Sequence, residues 1–470
     1  MNSKPQSQLR VRDRISDLPD AFLWHILSFL DTTYVVRTCI LSTRWKNIWA
    51  YFPTLDFDRR CFHDPAKFLA FVDHALFFRY SSNIVKFRLC LRGLDVDQSR
   101  INAWINTAVR YSFVELDINA GYPCQLRTYE LPKSLVICKT LVTLKLTSEF
   151  ITSVPASGCF PSLKSLHLIF FLNVNVSMFE VLSNCPVLED FTMVGILRYN
   201  DSVNFNIASP VLKTLRICID TEGDVYGFSG SYSYTINCPK LETFDVTEEF
   251  PSTYSWGEAK SLVKAGICLL QHCSHDPSFF NVTALLAGVG ALPVFENLRR
   301  LKLVCLECFC WDFLTHLLII SPILESLVLE RKVSGMGCEK NSDNDTGSEY
   351  ERDSTSEEAC EHEDGSDHEK GIESEEASEH EEGIDHEHQV DPPDCVPQCC
   401  LSHLKIVSIL GFTGERDELE MAKYLLQYCH VLNKMTISMD DDLSVDEKEK
   451  MYKEILMVPR GSRTSTVEFI

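Results

Sequence analysis

The chain has no long apolar run. Its best stretch, Phe313 to Leu329, is broken by His316, Pro322 and Glu325, well short of the roughly 20 apolar residues needed to span a bilayer. The N-terminal residues Met1-Asn2-Ser3-Lys4-Pro5-Gln6 lack the apolar core of a signal peptide, and Val467-Glu468-Phe469-Ile470 has no cysteine to prenylate. A soluble intracellular protein is expected, cytoplasmic or nuclear, with no membrane partner. Arg10, Arg12 and Arg14 alternate with Val11 and Asp13, which makes a poor nuclear signal. Positive charge is scarce: 44 Lys and Arg stand against 67 Asp and Glu, a net −23. That balance excludes a general nucleic-acid binder, which needs a basic footprint to neutralise phosphates. Glycine-rich phosphate loops, H-E-x-x-H and G-x-S-x-G are missing too. No catalytic, cofactor-binding or metal-ligating residue is therefore assigned, and no enzymatic activity is expected.

Cysteine, by contrast, is plentiful. In a reducing compartment the 20 cysteines are expected as free thiols. Cys305, Cys308 and Cys310, with His316 nearby, form the closest approach to a metal cluster. Structural zinc usually takes two separated ligand pairs, and this run lies in an apolar strand-like segment, so core packing is favoured over a metal site. The sequons at Asn175-Val176-Ser177 and Asn281-Val282-Thr283 are read as chance matches, since no secretory route leads to glycosylation.

A chain of 470 residues suggests about three units at ~150 residues each. Its charge is unevenly spread. Residues 339–391 hold 22 acidic and 3 basic side chains, a net −19, which leaves only −4 for everything else. The same segment contains a duplication, Ser356-Glu357-Glu358-Ala359-Cys360-Glu361-His362-Glu363 recurring as Ser374-Glu375-Glu376-Ala377-Ser378-Glu379-His380-Glu381. Low hydrophobicity and high net charge predict a disordered insert over 333–393. Its histidines, His362, His368, His380, His386 and His388, leave attraction to a basic partner or weak metal buffering as lesser alternatives to a solvated linker.

After a flexible N-terminus (1–12), residues 13–60 read as a helical unit. Asp17 can cap a helix with Pro19 and Asp20 in its first turn. Phe22, Leu23, Ile26, Leu27, Phe29 and Leu30 then fill more than one helical stripe, so the helix must be covered on two sides. A short second helix is predicted over Tyr34 to Cys39, and Ser42 can cap a third carrying Trp45, Ile48 and Trp49. So small a unit cannot bury all this alone. Either it packs on the rest of the chain, or one face is left for another protein. The segments Asp13-Arg14-Ile15-Ser16-Asp17-Leu18-Pro19-Asp20, Ile26-Leu27-Ser28-Phe29-Leu30 and Leu41-Ser42-Thr43-Arg44-Trp45-Lys46-Asn47-Ile48-Trp49 closely resemble the F-box motif. The resemblance implies a three-helix module that docks on the Skp-type linker protein of a cullin-based ubiquitin ligase. It also implies a contact surface of Leu18, Pro19, Ile26, Leu27, Leu30, Val35, Val36, Leu41 and Trp45.

From about Phe87 to Arg331 the pattern L-x-x-L-x-L recurs. It begins at Leu141, Leu163, Leu188, Leu212, Leu241, Leu298 and Leu324, with a degenerate copy at Leu262-Ala265-Ile267. Successive steps of 22, 25, 24, 29, 21, 36 and 26 residues fall mostly in or near the range of leucine-rich repeats. Cys185-Pro186, Ser209-Pro210, Cys238-Pro239 and Ser321-Pro322 are read as helix stops before a strand, with the cysteines packing there. The prediction for 61–332 is an α/β leucine-rich-repeat solenoid: a curved parallel sheet, helices outside, and a concave face suited to a target protein.

Beyond the insert, Leu404-Val407-Ile409 and Leu432-Met435-Ile437 resemble two further copies. A helix is predicted over Glu415 to Cys429, with Leu419, Ala422, Leu425 and Leu426 inward, and another over Val445 to Met457 behind the capping box at Ser444 and Glu447. Thr464 to Ile470 can form a strand. Cys399-Cys400-Leu401-Ser402-His403-Leu404-Lys405, Ile409-Leu410-Gly411-Phe412, Glu420-Met421-Ala422-Lys423-Tyr424-Leu425-Leu426 and Leu432-Asn433-Lys434-Met435-Thr436-Ile437 resemble the FBD domain. That makes 394–470 an α/β unit and points to the family of F-box proteins with leucine-rich repeats and a C-terminal FBD domain, much expanded in plants. The resemblance implies a substrate-recognition adaptor of a Skp–cullin–F-box ubiquitin ligase, with a linker protein, a cullin reached through it, and an unidentified target as partners. A repeat scaffold that sequesters its partner without promoting degradation is the alternative.

Overall fold

The structure is a computed structural model. It describes residues 15, 17–79, 84–120, 129–147, 150–151, 159–172, 177–198, 202–222, 231–248, 252–269, 293–305, 311–332, 395–441 and 443–470. The N-terminus expected to be flexible, the acidic insert with its duplication and histidines, Cys308, Cys310 and the asparagines of both sequons lie outside the described residues.

Three short helices come first. α1 (Asp20–Leu27) begins after Pro19, whose extended backbone occupies the capping position, so Asp17 does not cap it. α2 (Thr32–Arg37) starts two residues before its predicted position because the Asp31 carboxylate accepts from the Tyr34 N–H at 3.1 Å. A 3₁₀ turn, Thr38–Ile40, follows it, and then α3 (Trp45–Tyr51), whose first N–H lies 3.5 Å from Ser42 Oγ.

Nineteen described strands follow, and fourteen of them form one sheet in which every neighbouring pair is parallel. Its first strands are β1 (Thr54–Asp58), β2 (Lys86–Cys90) and β3 (Glu115–Asn119). After the two-residue β4 (Tyr129–Glu130) come β5 (Thr143–Thr147), the two-residue β6 (Phe150–Ile151), β7 (Ser165–Leu172) and β8 (Asp190–Arg198). Each sheet strand carries the second and third apolar positions of a repeat as an inward pair, and the register stacks those pairs. Leu144, Leu166, Phe191 and Leu215 are aligned one above another, as are Leu146, Leu168, Met193 and Ile217. All eight are buried. A repeat that offers only one apolar edge can bury it only against its neighbours, and each such side chain contributes about 1.5–3 kcal/mol when fully covered. The degenerate copy keeps the register: Ala265 and Ile267 align with Phe244 and Val246 on one side, and with Leu301 and Leu303 on the other.

The outer layer departs from the prediction in the middle of the array. Helices precede Cys185-Pro186 and Ser321-Pro322, at Ser177–Asn184 and Trp311–Ile319. Before Ser209-Pro210 and Cys238-Pro239 stand strands instead, β9 (Ser202–Ala208) and β11 (Ser231–Asn237). With β13 (Thr253–Trp256) they make a second, three-stranded parallel sheet that backs the first. The physical reason lies in the local period. Val203-Asn204-Phe205-Asn206-Ile207 and Tyr232-Ser233-Tyr234-Thr235-Ile236 alternate apolar and polar residues, a two-residue period that a helix cannot present on one face. Phe205, Tyr234 and Tyr254 stack across the three strands with centroids 5.0 and 4.9 Å apart. Cys185, Ser209, Cys238, Ser321 and Cys429, each three residues before the first leucine of its repeat, are small and buried in both settings, so the cysteines there pack as expected.

The remaining main-sheet strands are β10 (Thr214–Glu222), β12 (Thr243–Glu248), β14 (Lys264–Leu269), β15 (Arg300–Cys305), β16 (Ser326–Arg331), β17 (Ile406–Phe412), β18 (Lys434–Met439) and β19 (Thr466–Phe469). The last three continue the same sheet rather than starting another: β17 pairs with β16 from Ser326–Ile406 onward. The helix Arg416–Tyr428 packs behind them with Met421, Ala422, Leu425 and Leu426 buried, and Val445–Leu456 opens with the predicted Ser444/Glu447 capping box.

A polar lock holds this junction. Arg331, the last residue of β16, donates to Glu415 at 2.8 Å, to Glu418 at 3.0 Å and to Thr413 Oγ1 at 2.9 Å. Glu418 is buried and also accepts from the Thr413 and Gly414 N–H groups at 2.9 and 3.1 Å. Gly411 adopts φ +68°, and a Cβ there would lie 2.5 Å from the Arg331 carbonyl oxygen, so only glycine allows the strand to bulge against Arg331.

Two outcomes are expected. Arg331→Ala leaves a buried carboxylate without its cation and should cost roughly 3 kcal/mol, measured by urea denaturation of the full chain. Deleting residues 339–391 should leave soluble protein with an unchanged far-UV spectrum and thermal midpoint, because the flanking strands β16 and β17 are already paired neighbours. Aggregated or unfolded protein would show that the acidic segment is structural.

Candidate protein-docking surfaces

The helical module has its own small core of Leu23, Leu27, Val35, Trp45, Ile48 and Phe52, separate from that of the sheet, with Leu18, Trp24 and Trp49 against its edge. Arg44 ties the entering chain to this core, donating to the Leu18 carbonyl at 2.5 Å and to Asp20 at 2.7 Å. α1 carries two apolar stripes. Leu23 and Leu27 form the inner one, four residues apart. Phe22, Ile26, Phe29 and Leu30 form the outer one and the turn after it, and all four are exposed. Ile40 and Leu41, 85% and 63% exposed, add to the uncovered apolar surface between α2 and α3. Among the described residues nothing covers the second side of α1, and exposed apolar surface of this kind marks an interaction surface.

The nine residues named from the sequence divide by depth. Pro19, Ile26, Leu30 and Leu41 are exposed, and Leu18 and Val36 are half-buried. Leu27, Val35 and Trp45 are buried at 1%, 1% and 5% exposure, packed inside the module rather than displayed on it. Phe22, Phe29, Tyr34 and Ile40, which the nine-residue contact list leaves out, are exposed as well. The signal was present for Phe22, which lies four residues before Ile26 on the outer stripe.

The second surface is the open face of the long sheet, built from the residues between the inward pairs. Its charges are largely matched across strands. Arg88 bridges Asp56 at 3.2 Å and Asp117 at 3.5 Å, and Lys86 meets Glu115 at 3.3 Å. Further along, Arg216 lies 3.7 Å from Asp245, Lys302 2.6 Å from Glu330, and Lys434 2.7 Å from Glu468. Burial pushes the Asp56 and Asp117 carboxyls up despite Arg88 between them. His167, on β7, is pushed down to about 4 by burial and then by Lys145 and Arg216, so its ring is neutral. Between the pairs the face shows neutral hydroxyls such as Thr192, Thr214 and Thr243. Matched charges with hydroxyls between them suit a protein partner recognised by shape and hydrogen bonds more than by net field.

Among the described residues there is no cluster of three or more metal-ligating side chains, and no helix is long and apolar enough to cross a membrane. Cys305 is half-buried at the end of β15.

Three family models match: "F-box domain" over residues 15–56, "FBD-associated F-box protein At5g56370, LRR repeats" over 101–266, and "FBD" over 391–437. None describes an enzyme. Similar curated proteins include the FBD-associated F-box protein At3g50710 of Arabidopsis thaliana, 28% identical, with 96% of this chain and 98% of that protein covered. The F-box/FBD/LRR-repeat protein At5g56420 of the same plant is 26% identical, with 97% and 99% covered. The FBD-associated F-box protein At3g52670, also from Arabidopsis thaliana, is 27% identical, with 97% of each covered.

The depth of each side chain predicts opposite phenotypes. Trp45→Ala should unfold the module, costing about 3–5 kcal/mol as a buried aromatic. Leu30→Asp should leave its stability within about 0.5 kcal/mol, as at other exposed sites. Hydrogen exchange over residues 17–52 of the full chain checks both; rapid exchange in Leu30→Asp would place that side chain in the core.

Proposed function

Because this chain belongs to the F-box/FBD/LRR-repeat proteins and is thereby an F-box adaptor, we propose that it is the target-recognition subunit of a Skp–cullin–F-box ubiquitin ligase. The observation that carries the reading is the uncovered apolar patch of Phe22, Ile26, Phe29, Leu30, Ile40 and Leu41 on a module whose own core is already closed. A folded unit keeps so much apolar surface in water only if another protein covers it. We assign that partner as the Skp-type linker. Pro19, Ile26, Leu30 and Leu41 make the contact, Leu18 and Val36 border it, and Leu27, Val35 and Trp45 support it from beneath. The sheet's open face holds the target.

The chemistry then belongs to the partners. A target held on the sheet face, beside a charged conjugating enzyme brought in through the linker and a cullin, meets that enzyme at an effective concentration set by geometry rather than by diffusion. What this chain supplies is orientation and local concentration.

The test is co-purification of the full chain with a Skp-type linker. A Leu30→Asp, Leu41→Asp double variant should bind at least about 30-fold more weakly, the effect of losing a hot spot worth about 2 kcal/mol, while keeping its thermal midpoint. Undiminished binding would overturn the assigned interface. Turnover of a captured partner separates ligase from scaffold: cullin-dependent loss supports the ligase reading, and stable accumulation of the partner on overexpression favours sequestration.

A further inference from the structure

One buried group has no role in either docking surface. Glu248 is the last residue of β12, and its side chain occupies the third inward position of that strand. Its register partner on β10 is Ile219, which is buried, and on β14 it is Leu269. A carboxyl therefore stands beside buried Ile219 in the third inward row, which the Phe170 ring fills on β7. Glu248 is 3% exposed. Opposite it lies the inner face of the three-stranded sheet, which contributes Tyr234 from β11 and Tyr254 from β13, with Ser252 just before β13. All three are buried, and their hydroxyls surround the carboxyl. None of the four closes a hydrogen bond of good geometry at Glu248 Oε1, Tyr234 Oη, Tyr254 Oη or Ser252 Oγ.

The groups facing this carboxyl are thus two phenols and one hydroxyl. Tyr232, on the same strand as Tyr234, is the next titratable neighbour, and no lysine, arginine or histidine among the described residues pairs with it. An ionised carboxylate without a cation in such a place is costly, so the group either keeps its proton or distorts its surroundings.

We propose that Glu248, Tyr234, Tyr254 and Ser252 form a proton-operated latch between the two sheets, closed while the carboxyl carries its proton and loosened when it ionises. Protonated, Glu248 is a donor as well as an acceptor and completes a neutral hydroxyl cluster. Ionised, it is an acceptor only, and the outer sheet must shift to aim three donors at it or admit water. Position makes this a device rather than a local defect. The phenols belong to the aromatic column that glues the outer strands to the main sheet through Phe244, 6.2 Å from the Tyr254 ring. The outward neighbours of Glu248 on β12, including Asp245, lie on the open face. The latch therefore sits behind the middle of the target surface.

Burial pushes the carboxyl up to about 7 from an ordinary 4.5, with the three hydroxyls holding it down. The folded chain thus keeps a proton that the unfolded chain has released across that interval. Its stability is highest below pH 4.5 as far as this group is concerned, falls as pH rises towards 7, and loses nothing further above it. The folding equilibrium constant changes by up to about tenfold per pH unit within the interval.

The experiment compares the full chain with Glu248→Gln, which is uncharged and of the same size. Thermal midpoints are read from pH 5.5 to 8.5, with hydrogen exchange over residues 231–237 and 253–256 corrected for intrinsic rates. Wild type should lose midpoint and protection towards pH 7 relative to Glu248→Gln, and difference infrared spectra should show a protonated carboxyl band that titrates near neutrality and is absent from the variant. Parallel pH profiles in the two proteins, or no such band, would overturn the latch. If Glu248→Gln fails to fold, Tyr254→Phe decides: removing one donor to the carboxylate should move the infrared titration to higher pH, and an unmoved titration would overturn the proposal.

Discussion

Everything in this molecule depends on one constraint: each repeat has an apolar pair that only the next repeat can cover. In-register parallel pairing meets that need fourteen strands in succession, and the two ends are where it fails. An edge strand leaves backbone groups open and invites another chain. At the first edge the Asp56 N–H of β1 donates to Thr32 Oγ1 of α2 at 2.6 Å, so the helical module closes the strand it precedes. At the other edge β19 has only four residues, carries Glu468 paired to Lys434, and lies under Tyr452 of the last helix, whose ring is 4.3 Å from that of Phe469. The F-box and the FBD region are thus the caps that an open repeat array requires, whatever else they bind.

The same constraint explains which features could be read from the sequence. The L-x-L pairs were legible because their register is what the fold enforces; even Ala265 and Ile267 show it. The outer layer was less so. Cover for the sheet can be helix or strand, and the proline stops at Pro210 and Pro239 look alike in both settings. Only the two-residue alternation around Phe205 and Tyr234 distinguishes them. In the helical module the composition showed apolar residues to spare without showing which were spare. Leu27 and Leu30 are three residues apart on or just beyond one short helix, yet Leu27 lies in the core and Leu30 faces water. Depth of that kind is set by where α3 crosses α1, which no local pattern encodes. Glu248 was invisible for a similar reason, being one acidic residue at a strand end among many.

Charge has two separate uses here. The segment 339–391 holds −19 of the total, and the rest of the chain is close to neutral. Within that remainder the open sheet face places most of its cations beside carboxylates on the next strand, as in Asp56–Arg88–Asp117. Cross-strand pairs of this sort add a few tenths of a kcal/mol each and oppose a slipped register. They also leave the face with little net field, so a partner would be selected by contour and hydroxyl placement.

The two docking surfaces differ in a way that suits an adaptor. The helical patch is apolar and shallow-cored, presented by a module whose interior is separate from that of the sheet. The sheet face is polar and assembled from many repeats. Because the cores are separate, residues on the sheet face can change without disturbing the packing beneath Leu30 and Leu41, and residues of the patch can change without shifting the strand register. Contact between the units is nevertheless direct, through Thr32 and Asp56, so a partner held by one surface keeps a defined position relative to the other. Orientation of that kind is what this fold supplies.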